Sequence, residues 1–238
     1  MALLLFDVDG TLMRTHKTAV ACFTQAGRKT WHESFSLEKV AVPGNTDPLI
    51  LQEALSHLEA QGVSVLAKGK KDDAQELFFW KTYFELLDAA LRGGACEALA
   101  GAQNLVKACV ADPAHTTGLL TGNVARAGHL KLETLGFSME DFKITSFGDE
   151  GASRADLVEV ARKKDELLAG HRRPACDVVI IGDTPRDVAC AHAHQCRAIA
   201  VCTGHHDKET LRKAGADAVL PNLEDAAAFF ATVATVTA

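Results

Sequence analysis

The stretch Leu3-Leu4-Leu5-Phe6-Asp7-Val8-Asp9-Gly10-Thr11-Leu12 is an apolar run leading straight into two aspartates and a glycine turn. Four large apolar residues closed in this way read as a buried strand. Alternate residues of a strand share a face, so Asp7 and Asp9 point the same way for as long as the strand persists. In an open α/β sheet, ligands sit at the carboxyl ends of the strands. The decapeptide therefore sets a candidate nucleophile and a candidate acid–base group at such an end. If the chain turns at Asp9, its carbonyl is also available to a cation. A plain Asp-Gly turn accounts for the same residues without chemistry, so the other motifs decide.

Two further runs end alike. Leu119-Leu120-Thr121-Gly122-Asn123 precedes a helical pattern with Val124, Leu130, Leu132 and Leu135 as apolar positions. Asn123 suits the N-cap, which would gather the Thr121 hydroxyl and the free amides of Gly122 and Asn123 into an anion site. Val178-Val179-Ile180-Ile181 is the strongest strand signal in the chain. Asp183 stands at its tip, Pro185 suits the first turn of a helix, and Asp187 follows one turn after Asp183. Carboxylates gathered in one place repel unless a cation neutralises them. Hard oxygen ligands of this kind suit Mg²⁺.

Between these motifs, Ser153 and Asp156 read as a capping pair opening a helix that runs to about Lys164. Arg154 falls in its first turn, where the helix dipole disfavours a cation. That misfit is expected of a residue that serves an anion.

Together, Asp7-Val8-Asp9-Gly10-Thr11, Thr121-Gly122-Asn123, Arg154 and Gly182-Asp183-Thr184-Pro185-Arg186-Asp187 resemble the haloacid dehalogenase superfamily of phosphohydrolases, in order and over the whole chain. The resemblance implies an α/β fold: a Rossmann-like parallel sheet core with helices on both faces, plus an inserted α-helical cap domain. Residues 199–204 and 216–223 then read as the last two core strands. It also implies roles. Asp7 would attack phosphorus to give an aspartyl-phosphate, and Asp9 would protonate the leaving alcohol and later deprotonate water. Mg²⁺ would be held by the Asp7 carboxylate, the Asp9 carbonyl and Asp183, with Asp187 supporting its waters. Thr121, Gly122, Asn123 and Arg154 would hold the phosphoryl oxygens. Members that cleave carbon–halogen bonds lack the second aspartate, so Asp9 favours phosphoryl transfer.

Two departures stand out. The third motif is usually Lys, and Arg154 takes its place with a forked donor; Lys163 and Lys164 fall about two turns further on. Gln195 stands where relatives often have a glycine after the fourth-motif helix.

Asp9 and Thr121 are too far apart for one βαβ crossover. Residues 17–92 therefore read as a helical cap inserted into a core of residues 1–16 and 93–238. Helices are expected over 18–28, 47–60 and 72–90, with a polar break at 69–73. A further helix is expected over 97–109. The aromatic set Phe78, Phe79, Trp80, Tyr83 and Phe84 reads as cap core. Gly44, Asn45 and Thr46 lie in a turn before the second cap helix, either facing the substrate or serving only to cap that helix.

The formal charge of -6 argues against nucleic acid or an anionic membrane as main partner. Seven cysteines without a Cys-x-x-Cys spacing read as free thiols of a reducing cytosol. No apolar run reaches the length of a membrane span. The expectation is a cytoplasmic enzyme, monomer or homodimer: a Mg²⁺-dependent phosphatase of a small phosphorylated metabolite, like phosphoglycolate phosphatases. The alternatives are a phosphotransferase of the β-phosphoglucomutase type and a non-catalytic binding module that kept the fold.

Overall fold

Five consecutive buried residues, Ala2–Phe6, form β1, the strand about which the main sheet is laid. A computed structural model describes residues 1–65 and 73–238; most of the polar break expected at 69–73 lies outside them. β1 pairs in parallel with β4 (His115–Leu120) on one side and β6 (Val178–Gly182) on the other. β5 (Ile144–Ser146) extends the sheet beyond β4, while β7 (Arg197–Val201) and β8 (Ala218–Leu220) extend it beyond β6. All five pairings are parallel. The core is thus the expected Rossmann-like parallel sheet.

Continuous apolar strands imply a sheet covered on both faces, and β1 shows the division residue by residue. Leu4 and Phe6 join a cluster with α4 (Ala102–Ala111) and α9 (Ala226–Val236). Leu3 and Leu5 pack oppositely, with α6 (Arg154–Ala169), α7 (Pro185–Ala193) and α8 (Lys208–Lys213). The chain leaves β1 for partners on both sides, so a crevice opens at the carboxyl end of β1, between β4 and β6.

α1 (Thr18–Thr30), α2 (Asp47–Ala60) and α3 (Asp73–Arg92) share a third apolar cluster. Phe79 and Tyr83 are buried at its centre, with Trp80 and Phe84 against it, as the aromatic spacing implied; Phe78 is exposed. Val124 and Ala127, from the start of α5 (Ala125–Thr134), also belong to this cluster. The helical segment therefore rests on the second-motif helix.

The structure differs from the expected helix over 97–109. Glu97–Ala98 forms β3, an antiparallel partner for β2 (Met13–Arg14), and the helix begins only at Ala102. Gly101, left-handed at φ 80, separates the two, so the apolar spacing read through a strand and a turn as one helix. Gln195 takes the left-handed conformation at φ 59 that a glycine adopts freely. The corner after α7 is therefore kept, with mild backbone strain in place of the glycine.

Candidate active site

The ladder between β1 and β6 continues one step past Phe6, because the Asp7 amide donates to the Ile181 carbonyl at 2.9 Å. Asp7 is thereby held at the sheet's carboxyl edge. β6 delivers Asp183 beside it, and the first turn of α7 delivers Asp187. The three buried carboxylates each offer an oxygen within 4.8 Å of the others. Gly10, at φ 81, lies against Asp183, and a Cβ there would overlap that carboxylate.

Among the described residues, one cation faces this cluster. Arg154 opens α6, whose N-cap Ser153 forms the expected capping box with Asp156. Its Nη2 lies 3.0 Å from Asp7 Oδ2 and 2.5 Å from Asp187 Oδ1. The misfit of a cation in a first turn thus resolves into two anionic partners. Lys164 instead pairs with Glu150, away from the cluster. Asp187 is doubly engaged: its Oδ2 accepts from the Thr184 amide at 2.9 Å and from the Thr184 hydroxyl at 2.7 Å.

A single guanidinium does not balance three carboxylates. Burial, then the neighbouring carboxylates, push Asp183 up to about 8, against the pull of Arg154. Burial raises Asp7 to about 6, with Arg154 opposing and Asp187 and Asp9 adding to the rise. An all-oxygen donor set with excess negative charge fits a hard divalent cation. The metal-free protein should therefore lose stability as pH rises from about 5 to about 8. Folded Asp7 and Asp183 hold protons that the unfolded chain has released above about 4, so each added pH unit disfavours the native state. Thermal midpoints in chelator should fall across this window. Mg²⁺ should raise them, and more at pH 8 than at pH 5, because it replaces protons at the same oxygens. A midpoint that climbs from pH 5 to 8 in chelator would contradict this.

The second-motif corner differs from the expectation. The N-cap of α5 is Val124, not Asn123. Nor is the Asn123 amide free, since it donates to Thr121 Oγ1 at 3.3 Å. Asn123 turns its side chain towards Asp9 instead. Its Nδ2 donates to Thr121 Oγ1 at 2.8 Å and to Asp9 Oδ2 at 2.6 Å. Lys131 Nζ reaches the same Asp9 oxygen at 2.6 Å and Asn123 Oδ1 at 2.5 Å. Sequence reading missed Lys131. The signal was present: it falls seven residues after Val124 and three after Gly128, on the buried stripe of α5, where a charge needs a reason.

The helical segment reaches this corner directly. The Asp47 amide donates to the Gly122 carbonyl at 2.7 Å, and its carboxylate accepts from the Val124 amide at 2.9 Å. Burial raises Asp47 to about 6, with Lys131 opposing. The Asn45 carbonyl sits so close over Gly122 that a Cβ there would collide with it. Gly44 lies against Thr184, and Arg186 Nη1 donates to the Ala41 and Pro43 carbonyls at 3.0 and 2.8 Å. The turn at 44–46 thus bridges the second and fourth motifs. Thr46 is fully buried, and its hydroxyl has no hydrogen-bond partner among the described residues. Asn45 spends its side-chain oxygen on the Thr46 amide at 3.0 Å.

Residues 162–226, including all of the fourth motif, match the family model described as HAD-hydrolase-like. Over that stretch the chain is similar to HAD-like hydrolases. A hydrolase from Pseudomonas syringae superposes on it with a TM-score of 0.72 at 20% identity, covering 97% of this chain and 98% of that one. A predicted phosphoglycolate phosphatase from Haemophilus somnus gives 0.69 at 15% identity, covering 97% and 98%. CbbY from Rhodobacter sphaeroides, solved as a variant with xylulose-(1,5)bisphosphate, gives 0.66 at 17% identity, covering 94% and 96%. At these identities the likeness is one of fold. Comparison with curated sequences gives no match. No helix among the described residues is long and apolar enough to cross a membrane.

Proposed function

We propose that this chain is a HAD-like, Mg²⁺-dependent phosphatase of a small phosphorylated metabolite, acting through an aspartyl-phosphate on Asp7. The observation that carries the reading is the set of buried carboxylates Asp7, Asp183 and Asp187 around the Arg154 guanidinium, with Asp9 two residues beyond Asp7. Asp7 and Asp183, with the Asp9 carbonyl, would hold Mg²⁺, and Asp187 would support its waters. Bound there, the ion neutralises the carboxylates and polarises the phosphoryl group.

The chain's own residues supply the remaining chemistry. A carboxylate oxygen of Asp7 attacks phosphorus and becomes esterified. Asp9 gives a proton to the departing alcohol oxygen, then takes one from the water that hydrolyses the aspartyl-phosphate. Arg154, Thr121 and Gly122 surround the phosphoryl oxygens as charge spreads over them, while Asn123, expected among them, spends its donors on Thr121 and Asp9. Residues 17–92 act as a cap over the core of residues 1–16 and 93–238. The turn Gly44-Asn45-Thr46 is the part of that cap that meets the substrate, which its contacts with Gly122 and Thr184 support. The free thiols of all seven cysteines fit a reducing, cytoplasmic setting. The acidic net charge fits a small anionic metabolite bound in a local cationic pocket, without nucleic acid or membrane, by a monomer or homodimer.

The test is phosphate release from a panel of short phospho-acids, pentose phosphates and hexose phosphates, with Mg²⁺ and with chelator. Turnover of one class with Mg²⁺ and none in chelator is expected. Transfer of the phosphoryl group between sugar hydroxyls, without release, would replace the phosphatase reading by a mutase. Failure to label Asp7 with any phosphoryl donor would overturn both.

A further inference from the structure

Lys131 is a charged residue with no place in the four motifs, yet its side chain is only 4% exposed. A lysine is rarely buried unless its ammonium is paired. This one is paired with Asp9, whose own carboxylate is 40% exposed at the mouth of the site. Two donors, Lys131 Nζ and Asn123 Nδ2, converge on the same oxygen, Asp9 Oδ2, each at 2.6 Å. Asn123 is in turn fixed by Thr121 at 2.8 Å and by Lys131 at 2.5 Å. The three side chains form one closed network around Oδ2.

An ammonium and an amide NH₂ can only donate, so Oδ2 must remain an acceptor. We infer that Lys131 is a positioning residue which reserves Oδ1 of Asp9 as the oxygen that carries the proton. The inference rests on the phosphatase reading. In the first step the P–O ester bond breaks, its electron pair stays with the leaving oxygen, and the proton on Oδ1 passes to that oxygen. In the second, Oδ1 accepts a proton from the attacking water as the acyl-phosphate P–O bond breaks and the Asp7 carboxylate is restored. Throughout, Lys131 and Asn123 stay on Oδ2 and keep the carboxyl group from rotating. A carboxyl free to rotate presents the wrong oxygen for part of the time, and misplacement of a proton donor lowers kcat more than it raises KM.

The experiment compares Lys131→Met and Lys131→Arg with the full-length wild type on two esters, an alkyl phosphate that turns over and 4-nitrophenyl phosphate. The alkyl ester needs a proton on its leaving group; the nitrophenolate does not. In single-turnover release of the leaving group, which precedes hydrolysis of the aspartyl-phosphate, Lys131→Met should lose about 100-fold on the alkyl ester but stay within about threefold on the aryl ester, with KM little changed. Lys131→Arg, which keeps the charge, should recover part of the loss. Equal losses on both esters, or a loss confined to KM, would overturn the inference in favour of a phosphoryl-binding or purely structural lysine. A second readout needs no turnover: the ¹⁵N-labelled ammonium of Lys131 should be protected from exchange in the resting protein and lose that protection in Asp9→Ala. An ammonium that exchanges freely in the wild type, or is indifferent to Asp9→Ala, would remove the anchor. If the wild type hydrolyses neither ester, the phosphatase reading falls, and the ammonium signal still decides whether Lys131 anchors Asp9.

Discussion

Asp7→Asn should abolish phosphate release, by at least about 10⁴-fold, while leaving the protein folded. An amide oxygen is a poor nucleophile, and neither other carboxylate of the cluster is placed to act for it. Asp183 is packed under the backbone of Gly10 and Gly204, and Asp187 has both oxygens engaged by Thr184 and Arg154. The loss should come without unfolding, because the substitution removes one of three like charges from a buried cluster and keeps Arg154 paired with Asp187. The thermal midpoint in chelator at pH 8 should match or exceed that of the wild type, since Asp183 no longer has Asp7 beside it. Release assays on the best substrate, run with thermal scans, check both parts. Activity within tenfold of wild type would sink the nucleophile assignment. A collapsed midpoint would show that Asp7 is needed for the fold.

Arg154→Met should have the opposite signature. It leaves Asp7, Asp183 and Asp187 buried without their protein cation, and breaking a buried pair in this way costs about 3–5 kcal/mol. The cost is self-limiting at low pH, where the carboxylates take up protons, so it should widen as pH rises from about 5 to about 8. Urea unfolding in chelator at both pH values measures it. Mg²⁺ should recover part of the loss in stability but little of the activity, because the phosphoryl oxygens would still lack the guanidinium. Arg154→Lys should lie between: it keeps the charge, but an ammonium is more strongly hydrated, and costlier to bury, than the guanidinium whose Nη2 meets both Asp7 and Asp187. A loss under 1 kcal/mol at pH 8 would mean that the cluster is already neutralised by protons.

The core was legible because its strands are unusually plain. Leu3–Phe6 and Val178–Ile181 are buried on both faces, so no alternation blurs them, and each ends in an aspartate at the sheet edge. The capping box at Ser153 and the Pro185 helix start were likewise local signals that tertiary contacts did not override. What escaped was set by distant neighbours. Asn123 has the composition of an N-cap, but Thr121, Asp9 and Lys131 compete for its side chain and win. Glu97–Ala98 has weak strand propensity, and only pairing with Met13–Arg14 makes it a strand. Lys131 could be seen on a buried stripe, yet its partner lies 122 residues away, and spacing alone cannot supply that distance.

The position of β1 has a consequence for how the protein comes into being. This strand pairs with His115–Leu119 and with Val178–Ile181, so both of its neighbours are synthesised long after it. At ordinary elongation rates of about 5–20 residues per second, it waits roughly ten to thirty seconds for β6. During that interval the helices of residues 17–92, whose contacts with one another are local, can assemble first. The fully buried strand β1 meanwhile has only β4 to pair with, and that only once residues 115–120 have emerged. Nascent chains stalled before β6 should therefore be the species that chaperones hold and that aggregates form from, and the cluster of Asp7, Asp183 and Asp187 can be completed only when the fourth motif has emerged.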